Sequence, residues 1–184
     1  MRARAVSTDR TRESILAAVE GLTGERMPMQ ISLADVADRA GVSVQTVLRH
    51  FGTKDKLFEE TYRRAVGNVK AERTTPVGDV DAAVRTIVRS YERVGDWSIR
   101  LQAQESTDEL ARHAMTIGRR FHRRWVAEVF APQLAERPDS AEVLDLLVIA
   151  LDVLTWKNLR RDMGLGREAT IARMCRLVEA VLSF

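Results

Sequence analysis

The chain has 184 residues, of which 45% are hydrophobic and 30% charged, proportions typical of a globular protein that buries its own core. No apolar run approaches the roughly 20 residues that cross a bilayer, which excludes a membrane-spanning protein. The formal net charge is only +3, yet the first 75 residues hold 13 basic against 10 acidic side chains and the remainder is balanced. The positive excess therefore lies entirely at the amino-terminal end.

The amino terminus itself is basic and polar. It contains one acidic residue, Asp9, among four arginines, which are Arg2, Arg4, Arg10 and Arg12. We expect either a flexible basic arm that lies along DNA phosphates or a solvated terminus. No apolar segment follows that would serve as a secretion signal, so a cytoplasmic location is predicted.

Apolar residues recur at spacings of three and four, which predicts helices from one end of the chain to the other. The first four helices are predicted over residues 8–22, 33–40, 44–51 and 54–70. Ser32 and Asp35 form a capping-box pattern at the start of the second helix, and Gly41 ends that helix. Ser43 is the expected cap of the third helix.

The segment 71–79 is the clearest candidate boundary, because Pro76 and Gly78 interrupt the helical pattern there. Two domains are therefore predicted, residues 1–75 and 76–184. Helices of the second domain are predicted over residues 79–94, 97–104, 107–131, 141–163 and 167–184. Gly164 and Gly166 join the last two helices as an antiparallel hairpin.

Residues 33–51 have the layout of a helix-turn-helix motif. Val36 and Ala37 fall on the inner face of the first helix, and Gly41 supplies the freedom that the tight turn needs. Val47 and Phe51 anchor the second helix to the core. The opposite face of that helix stays exposed, and its amino terminus is available to a phosphate.

Residues 11–66 resemble the amino-terminal domain of the tetracycline-repressor (TetR) family of bacterial regulators. The matching features are Ala17-Ala18 in an amphipathic opening helix, Val36-Ala37, Ala40-Gly41-Val42-Ser43, His50-Phe51, and Lys54 followed by Leu57. The chain departs from the family at Leu48, where a tyrosine that contacts the DNA backbone is usual. Leu48 leaves an apolar group that could meet a thymine methyl instead. The loop over residues 23–30 is also slightly longer than usual.

The resemblance implies roles for the exposed residues of the motif. Ser43, His50 and Lys54 would bind phosphates, and Gln45 is the only base-facing residue able to make a bidentate contact with adenine. Arg49 reaches a phosphate or a guanine, or only solvates the helix. The base-facing residues are Val44, Gln45, Thr46 and Leu48. The full predicted DNA-binding set is Ser32, Ser43, Val44, Gln45, Thr46, Leu48, Arg49, His50 and Lys54.

The resemblance also implies a helical carboxy-terminal body that encloses a ligand and dimerises through its last two helices. The sequence agrees, because residues 143–154 are apolar almost all round, more than a single core requires, although single-core packing is the alternative. Aromatic and sulfur side chains, which either fill a core or line a pocket, indicate an apolar or aromatic effector. The predicted ligand-binding residues are Trp97, Met115, Phe121, Trp125 and Trp156. Candidate polar anchors are Arg100, Gln102, Gln104 and His113.

The sequence carries no glycine-rich phosphate loop, nucleophile elbow or metal-ligand spacing, so no enzymatic activity, metal or cofactor is predicted. The prediction is an all-α protein, with an amino-terminal helix-turn-helix DNA-binding domain and a helical ligand-binding and dimerisation domain. Its expected partners are a near-palindromic double-stranded DNA operator, a second copy of itself and a small-molecule effector that releases it from DNA, with no membrane. We expect the protein to be a transcriptional repressor. The alternatives are an activator, a repressor without a small-molecule inducer, and a helical interaction protein of the same fold that no longer binds specific DNA.

Overall fold

The computed structural model describes the backbone of residues 2–183 and the side chains of residues 9–183. Within that part of the chain all regular structure is helical, which confirms the predicted all-α class. The helices are α1 (Arg2–Glu25), α2 (Leu33–Ala40), α3 (Val44–Phe51), α4 (Lys54–Glu72), α5 (Val80–Ala103), α6 (Glu109–Val129), α7 (Ala131–Leu134), α8 (Ser140–Ala150), α9 (Val153–Lys157) and α10 (Arg167–Leu182). A 3-10 turn (Pro28–Gln30) follows α1, and a π-helical turn (Asn158–Asp162) follows α9.

Helices α2 and α3 begin and end where the sequence predicts. The hydroxyl of Ser32 accepts the N–H of Asp35 at 3.1 Å, while the Asp35 carboxylate accepts the N–H of Ser32 at 2.7 Å, completing the capping box. Gly41 ends α2 with a φ of +68°, in the left-handed region that glycine adopts most easily. The hydroxyl of Ser43 accepts the N–H of Thr46 at 3.2 Å and so caps α3.

The chain forms two compact units. The first contains the chain up to Val66 together with Arg100–Ala114, and the second contains Gly67–Ile99 and Met115–Phe184. Helices α4, α5 and α6 each contribute residues to both units. The predicted boundary between residues 75 and 76 falls inside the second unit.

The first unit is built on the apolar face of α1. The apolar side chains on that face are buried, together with side chains of α2, α3 and α4. The core residues are Ile15, Leu16, Val19, Leu22, Val36, Ala37, Val47, Leu57 and Phe58. These contacts hold the two helices of the helix-turn-helix on α1, so the face of α3 away from the core is left for solvent.

The core of the second unit centres on Trp156 of α9, which is fully buried. Gly95 of α5 lies directly against this ring, because a Cβ added at Gly95 would be only 2.4 Å from Trp156 Cζ3. The core is completed by α5, α6, α8 and α10, through residues that include Val84, Ile87, Val88, Val126, Phe130, Leu147, Leu151, Ile171, Met174 and Val178.

Two helix predictions beyond residue 78 were wrong. The two helices predicted over 79–94 and 97–104 are one continuous helix, α5 (Val80–Ala103), because Gly95 makes a close contact with Trp156 and does not break the helix. The single helix predicted over residues 141–163 is divided into α8, α9 and the π-helical turn. The division occurs because Asp152 starts a new helix, its carboxylate accepting the N–H of Leu154 at 2.8 Å.

The basic amino terminus is helical from Arg2 onward, so Arg10 and Arg12 belong to α1 and not to a flexible arm. The Arg12 guanidinium forms an ion pair with Glu60 and lies 4.8 Å from the centre of the Phe51 ring. The charge of Arg12 is therefore paired within the first unit. The side chains of Arg2 and Arg4 lie outside the described residues.

Candidate nucleic-acid interface

Helix α3 has one buried and one exposed face, as the helix-turn-helix prediction requires. Val47 is 1% exposed and Phe51 is 7% exposed, so both anchor the helix in the first unit. On the other face, Val44 is 37% and Leu48 is 40% exposed. Large apolar side chains at this exposure on a surface helix present hydrocarbon directly to whatever approaches the helix.

The structure brings the predicted DNA-binding residues together on α3 and its two neighbouring helix starts. Ser32 precedes α2, Ser43 precedes α3, and Lys54 is the first residue of α4. The members on α3 that are exposed are Val44, Gln45, Leu48 and Arg49, and the half-buried ones are Thr46 and His50. The arrangement leaves the predicted base-facing strip exposed on α3, with groups that can bind phosphates on either side of it.

The hydroxyls at the start of α3 retain a hydrogen-bond donor. Ser43 Oγ accepts the N–H of Thr46 and lies 3.0 Å from Thr46 Oγ1. Because one hydrogen bond between two hydroxyls uses only one O–H, the other O–H can donate to a phosphate. The amino terminus of α3 therefore offers an anion a hydroxyl in addition to the positive end of the helix dipole.

The basic residues of the site lie at the end of α3 and the start of α4. Arg49 and His50 occupy the last turn of α3, and the Nζ of Lys54 lies 5.4 Å from the centre of the Phe58 ring. Phe58 is fully buried, so the ring that the Lys54 side chain contacts is held in place by the core. A lysine held in this way can meet a phosphate with less loss of side-chain freedom.

Ser32 differs from Ser43, because its hydroxyl is fully used inside the cap. Its Oγ accepts the N–H of Asp35 and donates to Asp35 Oδ2 at 2.7 Å. A phosphate accepts hydrogen bonds, so Ser32 could bind one only by giving up the hydrogen bond that its hydroxyl now donates to Asp35. The role of Ser32 in DNA binding stays a prediction.

Asp35 provides a test of this cap. The hydrogen bonds from Ser32, first that of its hydroxyl and then that of its backbone, lower the pKa of Asp35 from 3.8 to about 2, and Arg26 contributes further at 3.3 Å. A carboxylate with a lowered pKa in the folded state stabilises the protein above pH 3.8, and that contribution disappears as the pH falls towards 2. We expect Asp35→Asn to lower the Tm at pH 7, with the difference from the wild type shrinking between pH 4 and 2.

Circular dichroism thermal scans over this pH range measure the effect. Asp38→Asn is the matched control, because Asp38 is an exposed aspartate of the same helix that is absent from the cap. A difference at pH 2 as large as that at pH 7 would show that the Asp35 charge does not stabilise the cap.

The predicted ligand-binding residues all lie in the second unit, and the structure brings two of them together. Phe121 and Trp125 surround the guanidinium of Arg73, which lies 5.5 Å and 5.9 Å from their ring centres. Trp156 packs instead into the core, where its Nε1 donates to Glu92 Oε1 at 3.2 Å. Trp97 and Met115 are half-buried.

The four candidate polar anchors belong to the first unit. The side chains of Arg100 and His113 are exposed there, that of Gln102 is half-buried and that of Gln104 is buried. The polar groups that do adjoin the aromatic residues are Arg73 and His122, which sequence reasoning missed. Arg73 lies in the segment 71–79, which was predicted as a domain boundary. Its aromatic neighbours follow much later in the sequence, so no local signal could have identified it.

We call this group the Arg73 cluster, and it consists of Arg73, Ser90, Tyr91, Phe121, His122 and Trp125. Arg73 is 6% exposed, and its Nε donates to Ser90 Oγ at 3.1 Å. Trp125 Nε1 donates to the backbone oxygen of Arg73 at 2.7 Å, and the His122 ring is stacked on Trp125 with centres 6.4 Å apart. Burial, reinforced by the charge of Arg73, lowers the pKa of His122 to about 4.

Comparisons with known proteins agree with this geometry. Residues 15–61 match the bacterial regulatory proteins of the tetR family. No curated protein matches the chain significantly. The part of the chain that the structure describes has no helix long and apolar enough to cross a membrane.

Two solved structures share the fold over nearly the whole chain. A transcriptional regulator from Rhodococcus sp. is 19% identical, with 96% of each chain covered and a TM-score of 0.71. A tetR-family transcriptional regulator from Streptomyces coelicolor is 17% identical, with 94% of this chain and 79% of that chain covered and a TM-score of 0.65. The match to the tetR-family regulators thus falls on the helix-turn-helix, and the fold shared with these transcriptional regulators extends over both units.

Proposed function

We propose that the protein is a homodimeric repressor that places α3 of each copy in successive major grooves of a near-palindromic operator and leaves the DNA when a small molecule binds its second unit. The observation that carries the DNA-binding part is the exposed face of α3, flanked by the hydroxyls of Ser43 and Thr46 and by Lys54. Repression follows if the occupied operator overlaps a promoter, and it is the family's commoner mode.

The dimer is supported by apolar side chains that the second unit leaves exposed. On α8, Leu146 is 38% and Ile149 is 63% exposed, although Val143 and Leu147 on the opposite face are buried in the core. Leu177 of α10 is 43% exposed. Two copies that join these helices about a two-fold axis would bury both sets of side chains and present two recognition helices to a palindrome.

Release by a ligand requires a connection between the second unit and the recognition helix. Helix α4 provides it in the chain, because its first part, through Val66, belongs to the first unit and its end, from Gly67 to Glu72, belongs to the second. A ligand that favours one position of the end of α4 over another would shift the population of DNA-competent dimers. The factor by which the ligand changes operator affinity is limited by the ratio of its affinities for the two states.

Selection from random duplex DNA by the purified protein tests the DNA-binding part. We expect an enriched inverted repeat, and we expect His50→Ala and Lys54→Ala each to weaken binding to it by about tenfold. Lys54→Ala, which removes a charge, should also reduce the salt slope by about one per copy. Gln45→Ala should instead relax the preference at one base pair of each half-site.

Lys70→Ala is the matched control for Lys54→Ala, because it removes the same charge from an exposed residue near the other end of α4. Its operator affinity should equal that of the wild type. A folded dimer that enriches no sequence would contradict DNA recognition and favour the helical interaction protein, for which the exposed Leu48 already offers an apolar contact.

A further inference from the structure

The second unit buries a positive charge that no described carboxylate neutralises. The guanidinium of Arg73 contacts the Ser90 hydroxyl and the faces of three rings, those of Tyr91, Phe121 and Trp125. Among the residues whose side chains are described, no acidic group lies within ion-pair distance of it. Buried cations normally have an anionic partner, because an unpaired charge is costly to remove from water.

Asp152 does not fill this position. Its charge acts on Tyr91 and His122, but its carboxylate caps α9 by accepting the N–H of Leu154. Aromatic faces and a neutral hydroxyl stabilise a guanidinium less than a carboxylate does, since carboxylates accept two N–H groups at once. A carboxylate would therefore be a stronger partner for Arg73 than any side chain that the structure describes beside it.

His122 also lacks a partner, in this case a hydrogen-bond donor. Its Nε2 lies 3.1 Å from the backbone oxygen of Val148, and because a carbonyl only accepts, Nε2 must carry the hydrogen. The Nδ1 atom is then a lone-pair acceptor, and it is buried without a partner. With its pKa lowered to about 4, the ring remains neutral near pH 7, so Nδ1 needs a hydrogen-bond donor.

We propose that the effector is a monocyclic aromatic carboxylate that bears a hydroxyl group, with its carboxylate bound to Arg73 and its hydroxyl donating to His122 Nδ1. This inference rests on the proposed ligand response and names the chemistry of the ligand. The guanidinium carbon of Arg73 lies 5.9 Å, and the His122 ring centre 6.4 Å, from the centre of the Trp125 ring. Because both groups adjoin the indole ring of Trp125, a single benzene ring is the smallest aromatic ligand that can carry both substituents.

The same site adjoins the end of α4. Arg73 directly follows Glu72, the last residue of that helix, and its backbone oxygen accepts the hydrogen bond from Trp125 Nε1. A carboxylate that draws the Arg73 side chain towards itself thus acts one residue beyond the helix that continues into the first unit. Arg73 is thus the single residue through which the charge of the ligand would act on the position of α4.

Isothermal titration of the full chain, in the absence of DNA, tests the inference with defined probes. The probes are 2-, 3- and 4-hydroxybenzoate, the corresponding hydroxybenzamides, which lack the charge, and benzoate, which lacks the hydroxyl. We expect at least one hydroxybenzoate to bind with its amide at least about tenfold weaker, and benzoate to be weaker as well. In Arg73→Gln the acid and its amide should bind equally.

His122→Phe should remove the advantage of the hydroxyl while keeping the preference for the acid over the amide. Arg93→Gln is the matched control, because Arg93 is an exposed arginine of the second unit that pairs with Glu72, and its ligand preferences should be those of the wild type. If Arg73 only held the core together, its variant would lose stability without changing the ratio of acid to amide binding.

The inference is overturned if no hydroxybenzoate binds the folded wild type, if the amide binds as well as the acid, or if Arg73→Gln keeps the preference. Should that variant fail to fold, the acid and amide comparison on the wild type decides. Operator selection is a separate measurement, so a protein that enriches a palindrome but ignores hydroxybenzoates refutes the ligand and leaves the regulator intact.

Discussion

Replacing Ile149 by glutamate is expected to convert the dimer to a monomer and to weaken operator binding by at least about 100-fold. Ile149 is 63% exposed on α8 and belongs to the apolar face proposed as the dimer contact. The two-fold axis would place a charge from each copy in that contact, and burying unpaired charge costs several kcal/mol, where about 1.4 kcal/mol is a factor of ten in affinity. The separate chain should fold normally, because the side chain is not part of its core.

Light scattering coupled to size exclusion measures the mass, and fluorescence anisotropy measures affinity for the selected operator. Val77→Glu is the matched control, because Val77 is 61% exposed but belongs to the loop before α5 and not to α8 or α10. It should remain dimeric and bind DNA normally. An Ile149→Glu protein that stays a dimer at wild-type strength would show that the copies meet on another surface.

Gly95→Ala is expected to destabilise the protein by about 1–3 kcal/mol, although alanine is the better helix former. The added Cβ would lie 2.4 Å from Trp156 Cζ3 and 2.8 Å from Cη2. Trp156 cannot retreat easily, because it is fully buried and its Nε1 is hydrogen-bonded to Glu92. The overlap should therefore exceed the gain of about 0.5–1 kcal/mol in helix propensity.

Gly118→Ala is expected to raise the free energy of unfolding, the opposite of the effect of Gly95→Ala. Gly118 lies in the middle of α6, and a Cβ there would have no atom within 4 Å. Urea unfolding should show this variant to be about 0.5–1 kcal/mol more stable than the wild type. If both variants gain stability, Trp156 does not pack against Gly95 as described.

The helix-turn-helix was predictable because its signals are local. Ser32, Gly41 and Ser43 each act within four residues of their own position, through a capping hydroxyl or a left-handed backbone. The burial of Val47 and Phe51 and the exposure of Leu48 likewise follow from helical spacing alone. The roles of the α3 residues on DNA remain predictions, because they depend on a partner that the sequence does not contain.

The second unit was less predictable because its decisive contacts join distant parts of the chain. Gly95 resembles a helix breaker until Trp156, 61 positions later, is seen to occupy the space beside it. Asp152 resembles one more polar residue of a long helix until its carboxylate is seen to start α9. Arg73 illustrates the same limit, since a charged residue in a short connection is expected in solvent and here lies among three rings.

The proposed base-facing strip of α3 contains more hydrocarbon than hydrogen-bonding capacity. Val44 and Leu48 are 37% and 40% exposed, and Gln45 alone can pair a donor and an acceptor with one base edge. In the major groove, hydrocarbon finds its complement in the C5 methyl of thymine. Cytosine methylated at C5 displays that methyl at the same ring position, so at those steps the strip would recognise the methyl group and not the base that carries it.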